Sequence, residues 1–283
     1  MAFFTNQAQL RYGNEITNSN ITVGEIQEVL TVTKTAVKET YRQGETVTYI
    51  ISIVNAGTAE YTGLTLSDDL GSYDFGATTR TPLDYSAGTI RYYQNGVLQT
   101  APTVEAGPPL TITGVNVPAG GNATIVYETR LNAYAPLQLE AEITNVVTVS
   151  GTCVSGITAS ETVSAVAEPV LSITKSVSPV PVTECGRLTY TFVIQNTGNV
   201  PADSKTEVSV TDTFDPVLRN LTVTFNGTAW SDPTNYTYNE TTGMFRTVPG
   251  AVTVPAATYT QNSETGEWST SSGVSTLIVT GTI

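Results

Sequence analysis

The stretch VLTVTKTAV at Val29–Val37 recurs as VLSITKSVS at Val170–Ser178, and this repeat indicates how the chain is organised. Three further stretches recur after it in the same order. They are QGETVTYIISIVNAG and CGRLTYTFVIQNTG at residues 43–57 and 185–198, LTLSDDL and VSVTDTF at residues 64–70 and 208–214, and ATIVYETRL and STLIVTGTI at residues 123–131 and 275–283. Self-similarity at a domain-sized period indicates two copies of one domain.

The composition and the turn signals favour an all-β fold. Only 13% of the residues are charged, and Gly and Tyr are frequent, which is typical of short strands joined by tight turns. The dipeptides Asn95-Gly96 and Asn226-Gly227 mark such turns in the middle of each copy. We therefore predict two tandem β-sandwich domains in the 283 residues, which suffice for two separate cores.

The charge balance and the missing residue types exclude several classes of function. The net charge of −13, with only 12 Lys and Arg, argues against nucleic acid or an anionic membrane as partner, since phosphate binding needs clustered cations. The sequence contains no His, and therefore no Ser/His/Asp or Cys/His constellation. We expect no turnover of an external substrate, no cofactor, no metal and no small-molecule ligand. Cys153 and Cys185 are too few for a disulfide framework.

The N-terminal segment resembles a closing strand that is detached from its domain. The first copy continues beyond residue 131 into ITNVVTV at Ile143–Val149, whereas the given sequence ends with the second copy at Ile283. FTNQAQL at Phe4–Leu10 matches ITNVVTV. We therefore predict an N-terminal donor strand with its connector (residues 1–24), a first β-sandwich (residues 25–166) and a second β-sandwich that lacks its last strand (residues 167–283).

An incomplete sandwich exposes an unpaired edge, which is costly. The N-terminal strand can fold back onto the second domain of its own chain, it can insert into the next molecule, or the defect can be tolerated. Folding back has to span the whole first domain, so we favour insertion, which is donor-strand complementation. The expected partner is a second copy of the chain, through an interface that includes Phe4, Asn6, Ala8, Leu10, Ile278 and Ile283.

Strand alternation places three polar side chains on the apolar faces of the first domain. Lys34, Asp68 and Asn145 each share a face with aliphatic residues two positions away. Burying a charged group costs several kcal/mol. The residues that match them in the second copy and in the N-terminal strand are Lys175, Asp212 and Asn6.

Two interpretations explain such a set. One is a buried Lys–Asp pair with the Asn bonded to both. The other is an isopeptide bond, because burial lowers the pKa of an amine and raises that of a carboxylic acid. A neutral lysine can then attack the Asn carboxamide, while the acid polarises the carbonyl and passes protons to the leaving ammonia.

The pattern TKT…GETVTY…IVNAGT…LSDDL…ITNVVTVSG resembles the bacterial surface repeat known as domain of unknown function eleven, over nearly all of residues 29–283. The resemblance implies immunoglobulin-like sandwiches of the kind found in extracellular and spore-associated proteins, including spore appendages. The Lys/Asp/Asn set is similar to that of the collagen-adhesin class of isopeptide domains. That similarity implies a bond between Lys34 and Asn145, assisted by Asp68.

The leading hypothesis is a structural protein, the subunit of an extracellular or spore-surface filament. We expect head-to-tail assembly by donor-strand complementation, with an intersubunit bond from Lys175 to Asn6 assisted by Asp212. The alternative is a surface adhesin or stalk that binds host or matrix ligands. The N-terminus lacks the basic and apolar regions of a secretory signal, so a surface location needs another exit, such as lysis of the producing cell, or a signal removed from the chain.

Overall fold

The computed structural model describes residues 2–283, and these residues form β-strands, turns and loops almost throughout. Within this range the one helical segment is a single 3-10 turn at Ser204–Thr206. The strands build an N-terminal hairpin and two β-sandwiches, so the predicted fold class is confirmed. No helix among the described residues is long and apolar enough to cross a membrane.

The N-terminal segment is one long hairpin rather than the single strand that the sequence predicted. Each arm of the hairpin contains two short strands. Strand β1 pairs with β4 and strand β2 with β3, on either side of a turn at Gly13. Its described side chains are exposed, and their hydrogen bonds stay within the hairpin. The four strands are β1 (Ala2–Asn6), β2 (Gln9–Tyr12), β3 (Glu15–Asn18) and β4 (Thr22–Ile26).

The first sandwich has two main sheets. One has the strand order β13-β12-β16-β7-β5, with β11 also paired to β16, and the other has the order β14-β15-β8-β17-β18-β6. Strands β9 and β10 form a separate small hairpin. The strands are β5 (Leu30–Ala36), β6 (Thr40–Tyr41), β7 (Thr46–Asn55), β8 (Tyr61–Asp68), β9 (Tyr73–Phe75), β10 (Thr78–Arg80), β11 (Leu83–Tyr85), β12 (Arg91–Gln94), β13 (Val97–Leu98), β14 (Thr103–Glu105), β15 (Leu110–Val117), β16 (Asn122–Leu131), β17 (Glu142–Gly151) and β18 (Val154–Ala165).

The second sandwich repeats this plan with fewer strands. One sheet has the order β19-β20-β28-β22-β23, and the sheet opposite it has only β21-β25-β24. Strands β26 and β27 form a separate hairpin. The strands are β19 (Leu171–Ser178), β20 (Arg187–Asn196), β21 (Thr211–Thr213), β22 (Arg219–Phe225), β23 (Thr228–Trp230), β24 (Tyr236–Asn239), β25 (Met244–Thr247), β26 (Thr258–Gln261), β27 (Trp268–Ser271) and β28 (Gly273–Thr282).

A buried asparagine at the end of a central strand shows how closely the two sandwiches match. In β7, Asn55 Nδ2 donates to the Ala59 carbonyl at 2.8 Å, and Asn55 Oδ1 accepts from the Gly57 amide at 2.9 Å. Asn196 of β20 makes the same two bonds, to Val200 at 2.8 Å and from Gly198 at 2.9 Å. The recurring Asn-x-Gly motif thus fixes the same turn in each copy.

The two sandwiches differ in what covers their first strand. Alternate residues of β5 are buried, with Leu30 and Val32 only 8% and 9% exposed. Their equivalents in β19, Leu171 and Ile173, are 37% and 52% exposed. Strands β17 and β18 belong to the sheet that covers β5, and no described strand of the second sandwich takes their place. The uncovered face of β19 is therefore apolar and open.

The β26–β27 hairpin joins the second sandwich to the first. The Trp268 amide donates to the Ala133 carbonyl at 2.8 Å, and Gln261 Nε2 donates to Tyr73 Oη at 2.9 Å. Arg80 Nε donates to the Thr265 carbonyl, in the turn of this hairpin, at 2.7 Å. These bonds fix the sandwiches end to end.

Candidate functional site

Lys34, Asp68 and Asn145 lie together in the core of the first sandwich. Lys34 comes from β5 in one sheet, and Asp68 and Asn145 come from β8 and β17 in the other. All three are buried. Lys34 Nζ donates to Asp68 Oδ2 at 2.6 Å, and both side chains are fully shielded from solvent. The ion pair thus links the two sheets across the core.

Tyr127 of β16 joins this cluster, although no motif in the sequence indicates it. Its hydroxyl donates to Asp68 Oδ2, the same oxygen that Lys34 contacts. Asn145 Nδ2 donates in turn to Tyr127 Oη at 3.4 Å. The four side chains therefore form one chain of contacts, in the order Lys34, Asp68, Tyr127 and Asn145. Alternation along ATIVYETRL puts Tyr127 on the inner face, but only the fold shows which side chains it meets.

Burial shifts the acid–base properties of the cluster. Desolvation lowers the pKa of Lys34, and the attraction of Asp68 offsets this only in part. Desolvation raises the pKa of Tyr127 well above its ordinary value, and the charge of Asp68 adds to the effect. The amine of Lys34 is therefore closer to its neutral, nucleophilic form than that of an exposed lysine, while the phenol keeps its proton.

Two polar atoms of this site have no hydrogen-bond partner among the described residues. They are Asn145 Oδ1 and the hydroxyl of Tyr49, whose ring lies 5.0 Å from Lys34 Nζ. A buried unsatisfied polar group costs about 1–3 kcal/mol. The site thus holds an amine, a carboxyl group, a phenol and a carboxamide in a solvent-excluded core, and this set is suited to amide exchange between Lys34 and Asn145.

The second sandwich repeats the lysine and the aspartate at a more exposed position. Lys175 is paired with Phe192 across β19 and β20, as Lys34 is with Ile51 across β5 and β7. Lys175 Nζ forms an ion pair with Asp212, the side chains being 39% and 17% exposed. The ammonium also lies 4.6 Å from the ring centroid of Tyr190. The pair borders a groove of about 200 Å³ between β19 and β21.

No asparagine among the described residues makes a hydrogen bond with Lys175 or Asp212. Asn6, the residue that the sequence assigned to this second site, lies in β1 and is exposed. Its side chain makes no hydrogen bond with any described residue, whereas its carbonyl accepts one from Thr22 Oγ1 at 3.1 Å. Lys175 and Asp212 therefore form an incomplete copy of the buried cluster.

The other predicted interface residues fall into two groups. Phe4, Ala8 and Leu10 are exposed on the N-terminal hairpin. Ile278 lies in β28, which already pairs with β20 and β22, and Ile283 packs against the second core. Two strands of the three-stranded sheet have a free side, β21 and β24, and β21 carries Asp212, the counterpart of Asp68 in β8, which pairs with β17. We therefore assign the open edge to β21 rather than to the strand that contains Ile278.

Other candidate chemistry is sparse. Cys153 and Cys185 are free and exposed. In the part of the chain that the structure describes, no group of three or more His, Cys, Asp or Glu side chains is arranged to hold a metal ion.

Comparisons with known proteins concern the fold. No protein-family model matches the chain, and no curated protein matches it. Among solved structures, the C-terminal domain of the antigen I/II-family protein AspA of Streptococcus pyogenes is 11% identical with a TM-score of 0.38, and the match covers 90% of this chain and 92% of that chain.

Two pilin structures match less of their own length. For the pilus backbone of Streptococcus pneumoniae the identity is 12%, the TM-score 0.35, and the coverage 86% of this chain and 55% of that chain. For the major pilin subunit of Bacillus cereus the identity is 11%, the TM-score is 0.40, and the match covers 87% of this chain and 64% of that chain. The chain thus spans less than two thirds of either pilin. Likenesses with TM-scores this low carry no argument about this chain, and the resemblance to domain of unknown function eleven stays a prediction.

Proposed function

We propose that this chain is the structural subunit of an extracellular or spore-surface fibre, in which the N-terminal hairpin of one copy completes the second sandwich of the next. The observation that carries the proposal is the pairing register of the hairpin. When Asn6 is aligned with Asn145, the pairs between β1 and β4 in the hairpin align with the pairs between β17 and β18 in the first sandwich. The matched pairs are Phe4–Gly24 with Ile143–Val163, Thr5–Val23 with Thr144–Thr162, and Asn6–Thr22 with Asn145–Glu161.

The matched pairs also present comparable apolar groups to a core. In the hairpin, the ring of Phe4 lies over Gly24, so closely that a Cβ atom on Gly24 would fall 2.3 Å from the ring. In the first sandwich, the same two places hold Ile143 and Val163, which are 3% and 0% exposed. The large ring of Phe4 beside Gly24, which has no side chain, thus corresponds to the two side chains of intermediate size at Ile143 and Val163. The hairpin resembles β17 and β18 in its inward surface as well as in its register.

The second sandwich offers the surface that such a hairpin would cover. Leu171, Ile173 and Val177 leave an exposed apolar stripe on β19. Burying a side chain of this size stabilises by about 1.5–3 kcal/mol. A two-stranded hairpin is itself only marginally stable in water. Each surface therefore gains from the other, and the contact of β17 and β18 with β5 in the first sandwich is the arrangement that we propose for them.

The hairpin that covers β19 comes from a second copy of the chain, because the hairpin of the same chain is attached too far from its own β19. Only Gln27–Val29 separate β4 from β5, a reach of roughly 10 Å. In the second sandwich, the end at which β19 begins faces the first sandwich, and there Asn199 Nδ2 donates to the Leu137 carbonyl at 3.0 Å. The hairpin therefore leaves the first sandwich at the end far from β19. Insertion into a neighbour is a heterologous contact, which propagates into a filament unless a ring closes.

Docking in this register also completes the second cluster. Asn6 takes the place of Asn145, beside Lys175 and Asp212. The Lys175 amine attacks Asn6 Cγ, the bond from Cγ to Nδ2 breaks, and ammonia leaves, so that an amide joins the two copies. Lys34 and Asn145 form the equivalent bond within the first sandwich.

The test is removal of the hairpin. The full chain is expected to form fibres that are visible by electron microscopy, and a variant without residues 1–26 is expected to stay a folded monomer. Adding a synthetic peptide of residues 2–26 should give a one-to-one complex with the truncated chain. Fibres formed by the truncated chain, or a full chain that stays monomeric at high concentration, would contradict the proposal. A Cys153→Ser, Cys185→Ser control excludes polymers held by disulfides.

A further inference from the structure

The hydroxyl of Tyr127 is the one described group that contacts both Asp68 and Asn145. It donates to Asp68 Oδ2 and accepts from Asn145 Nδ2 at 3.4 Å. The second Asp68 oxygen, Oδ1, is occupied by the Leu70 amide at 3.1 Å. No hydrogen bond joins Asp68 to Asn145 directly among the described residues. The phenol is therefore placed to carry a proton from the carboxyl group to the carboxamide nitrogen.

Amide exchange requires such a transfer. When Lys34 Nζ bonds to Asn145 Cγ, the amine must lose a proton, and Asn145 Nδ2 must gain one before it can leave as ammonia. Asp68 Oδ2, 2.6 Å from Lys34 Nζ, is placed to take the first proton. Nδ2, the leaving nitrogen, faces Tyr127 rather than Asp68.

We propose that Tyr127 is a catalytic residue for the bond between Lys34 and Asn145, relaying the proton from Asp68 to the departing nitrogen. Lys34 Nζ gives its proton to Asp68 Oδ2, Asp68 gives it to Tyr127 Oη, and the Tyr127 hydroxyl proton goes to Asn145 Nδ2. The bond from Cγ to Nδ2 breaks and ammonia leaves. Tyr127 ends with one proton, as it began, so the relay balances. This inference rests on the proposed covalent chemistry.

Burial keeps the relay in the required protonation state. The pKa of Tyr127 is raised well above its ordinary value by desolvation, so the phenol is neutral at physiological pH and can both donate and accept. Its ring is stacked on Tyr49 with the centroids 5.8 Å apart, which holds the hydroxyl in place. The geometry and the charge state therefore agree.

The second sandwich lacks this group. Tyr127 is paired with Tyr49 across β16 and β7, and the equivalent pair across β28 and β20 is Val279 with Tyr190. Position 279 thus has no hydroxyl to act as a relay. The structure accordingly assigns the relay to the buried intradomain bond alone, and the bond between copies has to transfer its proton by another route, such as solvent in the exposed groove.

The test compares Tyr127→Phe with the unmodified chain. The substitution keeps the ring and removes only the hydroxyl, and Tyr92→Phe is the matched control. The Tyr92 hydroxyl is also buried, bonding the carbonyl and the amide of Asn116 at 2.6 and 2.9 Å, but it lies outside the cluster. Freshly synthesised full-length chains are followed over time by intact mass, which falls by one ammonia per bond, and the bond is located in proteolytic peptides.

A general acid–base contribution predicts that Tyr127→Phe forms the Lys34–Asn145 bond about 100-fold more slowly, while Tyr92→Phe forms it at the normal rate. Equal rates in Tyr127→Phe and the unmodified chain would overturn the relay and leave the proposed bond intact. An equal loss of rate in Tyr92→Phe would assign the effect to packing and also overturn it. Absence of the bond from the unmodified chain would overturn both the covalent chemistry and the relay.

Discussion

Adjacent phenylalanines in the N-terminal hairpin provide a sharp test of the docking register. In the proposed docking, Phe4 takes the place of Ile143, which is 3% exposed in the first sandwich, whereas Phe3 takes the place of Glu142, which is exposed. Successive residues of a strand face opposite sides. Phe4→Ala should therefore weaken docking, and Phe3→Ala should not.

The size of the effect follows from the exposure of the free hairpin. Truncating a fully buried phenylalanine costs about 3–5 kcal/mol. Phe4 is 54% exposed before docking, so about half of that loss, roughly 2 kcal/mol, applies to the docking step. This corresponds to a loss of affinity of about 30-fold. Phe3→Ala, at a surface position, should change the binding free energy by less than about 0.5 kcal/mol.

The assay titrates labelled peptides of residues 2–26 against the chain that lacks residues 1–26. The peptides carry Asn6→Ala, so that no covalent bond forms and the measured affinity is reversible. The docking register is refuted if Phe3→Ala weakens binding as much as Phe4→Ala, or if neither substitution has an effect.

Three further predictions concern stability, pH and rigidity. Asn145→Ala removes the proposed intradomain bond. Because this cross-link would close a long loop, we expect the free energy of unfolding in denaturant to fall by about 4–5 kcal/mol; an unchanged midpoint would contradict the bond. Because the pKa of Lys34 is lowered, acid should protonate its amine only at a lower pH than it does for an ordinary lysine. Formation of the Lys34–Asn145 bond, followed by time-resolved mass spectrometry, should therefore slow as the pH falls through that pKa. Faster bond formation in acid would contradict the mechanism. Replacing residues 256–272, which carry the β26–β27 hairpin, by a short turn should leave both sandwiches folded but broaden the distance distribution between them in small-angle X-ray scattering, and an unchanged distribution would show that the hairpin is not the clamp.

Much of the architecture could be predicted from the sequence because it depends on local alternation and on repetition. The inward positions of Lys34, Asp68 and Asn145 follow from the period of two along each strand, and the repeat transfers them to Lys175 and Asp212. Alternation shows which face a residue occupies, but it does not show which strand lies beside it.

The features that the sequence did not predict depend on neighbours in space. Ile278 is in a central strand rather than at an edge, because β22 lies beside β28. The contacts of Tyr127 depend on how two sheets face each other across the core. The second strand of the N-terminal hairpin could not be predicted because GNEITNSNITVGEI shares little with VSGITASETVSA, and its pairing with β1 depends on the fold.

The most direct test of the account is a cryo-electron microscopy structure of fibres assembled from the full chain. We predict density for residues 2–26 of one copy between β19 and β21 of the next, with Phe4 buried and Asn6 Cγ bonded to Lys175 Nζ. Fibres in which the hairpin lies elsewhere, with the β19 face covered by another surface or left open, would contradict it.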